Sequence, residues 1–73
     1  MSNKLDVVQK ELQGRKQDIQ KSLRELFEKN LRITDWDIPE ANDQEASEIL
    51  LTILTEELNK IKQDVKEGKY KNY

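Results

Sequence analysis

The side chains best placed to do chemistry are the acids Asp35, Asp37, Glu40 and Asp43, crowded around the only tryptophan, Trp36, and the only proline, Pro39. Carboxylates this close together can bind a divalent cation or divide acid and base roles. The spacing does not make a calcium loop, because the central glycine and the distal bidentate glutamate are missing. Asp and Asn at such positions more commonly form turns and helix caps. Histidine and cysteine are absent, which removes thiol nucleophiles, disulfides and the usual zinc ligand sets. Ser22 and Ser47 have no base beside them in the sequence, and there is no glycine-rich phosphate loop. An enzyme also needs a concave site that excludes water, which a chain of 73 residues in two helices can hardly enclose. The expectation is a non-enzyme without cofactor or metal.

The helices that would position these acids are written in the apolar pattern. From Ala46 to Val65, Ile49, Leu50, Leu51, Ile53, Leu54, Leu58, Ile61 and Val65 fill a sector roughly 200° wide at 100° per residue, about twice an ordinary surface stripe. One helical neighbour cannot cover so wide a face. Earlier in the chain, Leu5, Leu12, Ile19, Leu26 and Ile33 recur every seven residues. The companion heptad position is weak, Val8 being followed by Arg15, Ser22 and Lys29. With Leu23 and Phe27 added, the stripe is only about 100° wide, enough for one buried face.

The spacing therefore predicts an all-α chain, a two-helix antiparallel hairpin that completes a four-helix bundle by dimerisation. The 73 residues form a single domain, with a helix over about 3–31, a connector over 32–42, a helix over about 43–67 and a frayed tail over 68–73. Asn3 is the expected N-cap of the first helix. Asn42 with Glu45, or Asp37 with Glu40, is the expected capping box of the second. Gly68 is its expected stop, with Lys62, Lys66 and Lys69 beside the negative helix end. Gly14 falls inside the first helix, either as a tolerated defect or as a point of close helix crossing.

Leaving several large aliphatic side chains in water would forfeit much of the stability of so small a domain. Ile49, Leu50, Ile53, Leu54, Leu58, Ile61 and Val65 are accordingly the expected interface, toward a homodimer or a heteromeric protein partner. Trp36 either folds back as a lid with Ile33 and Ile38, or stands out as a binding anchor with Asp35, Asp37 and Glu40.

Charge is sorted along the hairpin. Residues 32–57 carry one basic and eight acidic groups, residues 1–31 seven and five, and residues 58–73 five and two. The turn end is thus acidic and the open end basic. Solvation alone accounts for such sorting; an acidic tip for a basic cleft, or head-to-tail pairing of hairpins, are the functional alternatives. Lys10, Arg15, Lys16, Lys21 and Arg24 point to several faces and alternate with acids, so they form no stripe for nucleic acid. The longest apolar run, Ile49–Leu51, is far too short for a membrane span. The opening Met-Ser-Asn-Lys-Leu has no apolar core of a secretory signal. A cytoplasmic protein is expected.

The run Leu58-Asn59-Lys60-Ile61-Lys62-Gln63-Asp64-Val65-Lys66-Glu67-Gly68-Lys69-Tyr70 is similar to the end of the coiled-coil hairpin in DksA/TraR-type regulators of RNA polymerase. Lys10-Glu11-Leu12-Gln13-Gly14-Arg15-Lys16 resembles the opening of that hairpin, and Asp37-Ile38-Pro39-Glu40 resembles its acidic tip. Tyr73 stands where that family's first zinc-binding cysteine is expected, and Asn42 replaces the usual alanine of the tip. The resemblance implies a hairpin without a zinc finger, whose Asp37 and Glu40 enter the secondary channel of RNA polymerase.

Overall fold

In a computed structural model, which describes residues 4–73, the chain forms three helices, α1 (Lys4–Gly14), α2 (Lys16–Asp37) and α3 (Asp43–Lys66). There is no strand among the described residues. The expected Asn3 cap lies outside them. The all-α class agrees with the apolar periodicity, and α2 and α3 pack together as a hairpin through the connector 38–42.

The first long helix is divided in two. At Arg15 the backbone takes φ −107° and ψ 5°, and its N–H donates to the carbonyl of Leu12 instead of Glu11. Gly14, the costliest residue in a helix interior after proline, supplies the weakness. A Cβ built on Gly14 would meet nothing within 4 Å, so no close crossing within the chain requires a glycine there. The Arg15 guanidinium donates to both Glu11 carboxylate oxygens at 2.8 and 3.2 Å, a fork that spans the break. This pairing holds the Arg15 pKa above its ordinary value.

α2 ends at Asp37, six residues beyond the expected boundary. Pro39 forbids helical geometry only to its immediate predecessor, and Ile38 duly takes φ −133° and ψ 82°. Before it, polar side chains support the helix by accepting its geometry. Asn30 Nδ2 donates to the Leu26 carbonyl at 2.8 Å, and Thr34 Oγ1 to the Asn30 carbonyl at 3.1 Å. Turn-forming residue types thus end this helix later than their composition suggests.

α3 is bounded by the chemistry expected of it. Asn42 is extended (φ −77°, ψ 115°), and its Oδ1 accepts from the Glu45 N–H at 3.0 Å. At the other end Gly68 has φ +81°, the Lys69 N–H donates to the Asp64 carbonyl and the Gly68 N–H to that of Val65, which is a Schellman closure. The tail is folded where fraying was expected. The Lys71 and Tyr73 N–H groups donate to Gly68 and Tyr70, the two tyrosine rings meet edge-on with centroids 5.4 Å apart, and Lys69 Nζ pairs with Asp64 at 3.5 Å. Asn42→Ala is expected to destabilise the fold by about 1 kcal/mol in urea unfolding, while Asn42→Asp leaves it nearly unchanged.

The molecule is long and thin, 58 × 26 × 17 Å, with a radius of gyration of 16.9 Å. A compact chain of this length would have a radius near 11 Å. Of the other two helices, α1 approaches only α2. Counting at equal rise from the connector, α3 ends level with Gly14, so α1 projects beyond it.

A candidate protein-binding surface

No described residue is buried. The seam between α2 and α3 is made by Phe27, Leu31 and Thr34 facing Ala46, Leu50 and Leu54, all of them half-buried. Of the expected interface, Leu50 and Leu54 therefore belong to the hairpin's own seam. Ile49, Ile53, Leu58, Ile61 and Val65 remain exposed, with Ile49 at 62% and Ile53 at 55%.

The helical projection sorts the exposed side chains to two sides of the seam. Ile19, Leu26 and Ile33 lie roughly 90–130° to one side of the α2 contact line, and Ile49 and Ile53 roughly 60–100° to the same side on α3. Together they make an apolar side of the hairpin, with Ile19, Leu26 and Ile33 each 46–47% exposed. The single buried face expected of the first helix is thus divided, Phe27 entering the seam while Ile19, Leu26 and Ile33 stay outside it. The sevenfold spacing that would have marked them as unmatched was present, but the direction of the seam was not.

The opposite side holds an open groove of about 740 Å³ with Leu51, Leu54 and Leu58 along α3 and Gln17, Lys21 and Arg24 along α2. Its α2 wall is mixed, Leu23 and Phe27 lying at its floor beside those polar side chains. Among the described residues no group of three or more acids converges as a metal site, and no helix is long and apolar enough to cross a membrane.

At the tip Trp36 is 86% exposed. It is not a lid over the hairpin but stands clear on the last turn of α2, with Asp37 and Glu40 beside it, also exposed. Asp35 turns inward and is half-buried. There it faces Asp43 across the connector, and hydrogen bonding to that carboxylate, desolvation and its charge hold the Asp35 pKa above the ordinary 3.8.

Compared with family models, curated proteins and solved structures, the chain matches none.

Because the folded chain holds a proton on Asp35 more tightly than the unfolded chain, its repulsion from Asp43 is absent at low pH. The destabilisation develops as pH rises through the raised value and is constant above it. Asp35→Asn is expected to raise the melting temperature at pH 7 and to have no such effect below the carboxylate range, as read by circular dichroism melts across pH.

Proposed function

We propose that this chain is a non-catalytic association protein that works as a homodimer, two hairpins closing into a helical bundle over their apolar sides. The observation that supports this reading is the surface. The chain exposes 7070 Å², whereas a folded monomer of 8.7 kDa exposes about 4,700 Å². Two copies that hid the difference from each other would bury about 4,700 Å² in total, which is obligate-dimer size. The chain holds neither disulfide nor histidine to stabilise a small fold by other means, and oligomerisation is the remaining common route. If folding and pairing are coupled, the melting temperature rises with protein concentration. A melting temperature that is constant from low to high micromolar chain would refute the proposal.

The tip supports a second reading. Trp36, Asp37 and Glu40 stand exposed at the far end of a slim hairpin, suited to a partner with a basic cleft. Taken with the similarity to DksA/TraR-type hairpins, that partner would be RNA polymerase. On this reading Asp37→Ala and Glu40→Ala abolish an effect on transcription in vitro and the chain acts as a monomer; on the first reading those changes leave dimerisation intact.

A further inference from the structure

Resting on the dimer reading, we propose that α1 is the docking element, and that it lies antiparallel on the isoleucine side of a second copy, each copy receiving the other's α1. α1 carries Leu5, Val8 and Leu12 on one stripe, 68%, 51% and 45% exposed. It cannot cover the hairpin of its own chain. Only Arg15 separates α1 from α2, and reversal between antiparallel helices takes two to five residues. The longest dimension, 58 Å, accommodates α1 and α2 end to end, about 50 Å at 1.5 Å per residue.

The apolar pattern is self-complementary about a point between Arg15 and Lys16. With two copies antiparallel about that point, Leu5 faces Leu26, Val8 faces Leu23 and Leu12 faces Ile19, and each pair occurs twice. A two-fold dimer requires this reciprocity. Shifting the pairing by one heptad keeps Leu12 on Leu26 and sets Leu5 on Ile33, but it puts Val8 against Asn30 and Arg15 against Leu23, so only the unshifted arrangement buries all three α1 side chains. Counted from the connector, Leu26 and Ile53 stand at nearly the same height on the same side. The second copy's Leu5 then covers both, and Ile53 gains the neighbour its own hairpin does not provide.

The absence of cysteine makes the arrangement directly testable. Within one chain positions 5 and 26 are 21 residues apart along α1 and α2, about 30 Å, too far for a disulfide. The double variant Leu5→Cys/Leu26→Cys, oxidised at low micromolar concentration with helicity checked by circular dichroism, is expected to double its mass on a denaturing gel. Leu5→Cys and Leu26→Cys alone are expected to stay single chains. Cross-linking by Leu5→Cys alone, or equal cross-linking by Leu5→Cys/Ile33→Cys, would overturn the arrangement. If the unaltered chain sediments as a dimer and positions 5 and 26 do not bond, the docking of α1 is wrong while the dimer stands. If it sediments as a monomer, the dimer reading fails and this inference with it.

Discussion

Ile53→Glu is expected to convert the dimer to monomers without unfolding the hairpin. Ile53 is 55% exposed on the single chain, so it contributes little to the α2–α3 seam. In the dimer it occurs twice, and covering the exposed part of each isoleucine is worth about 0.8–1.6 kcal/mol. Losing both weakens association by about 15- to 200-fold, before the added cost of placing a carboxylate in an apolar contact. Light scattering would read the change as a halved mass at low micromolar concentration. Retained mass would show that Ile53 faces water in the assembly as well.

Leu54→Ala tests the other layer of the architecture. Leu54 is half-buried between α2 and α3, among Leu23, Phe27, Leu51 and Leu58. Truncation there is expected to cost about 2 kcal/mol, the low end for leucine because the site is only partly enclosed. For so small a domain that is a large share of total stability. Urea unfolding of this variant should shift at every chain concentration, whereas the loss in Ile53→Glu should shrink on dilution, as the unaltered chain itself dissociates. The two variants thus separate the seam within a chain from the surface between chains.

What could be read in the amino-acid sequence followed the range of the interactions involved. The Asn42 cap and the Gly68 closure depend on backbone groups within a few residues, so residue type and position sufficed. The end of α2 depended on whether Asn30 and Thr34 would bond back to their own helix or start a turn, and both are in their repertoire. The break at Arg15 was marked by Gly14, though a glycine is equally compatible with an unbroken helix. The breadth of the α3 apolar face showed that two neighbours are needed. It did not show that the seam would take Leu50 and Leu54 and leave Ile49 and Ile53 outside, because that depends on the direction from which α2 arrives. Trp36 was undecided for the same reason, and its exposure follows from where on the last turn α2 places it.

The most direct measurement is sedimentation equilibrium of the unaltered chain across micromolar concentrations at neutral pH. The expected result is a species of twice 8.7 kDa that dissociates only on strong dilution. A well-folded helical monomer at every concentration would contradict it, since the isoleucine side and α1 would then be stable facing water.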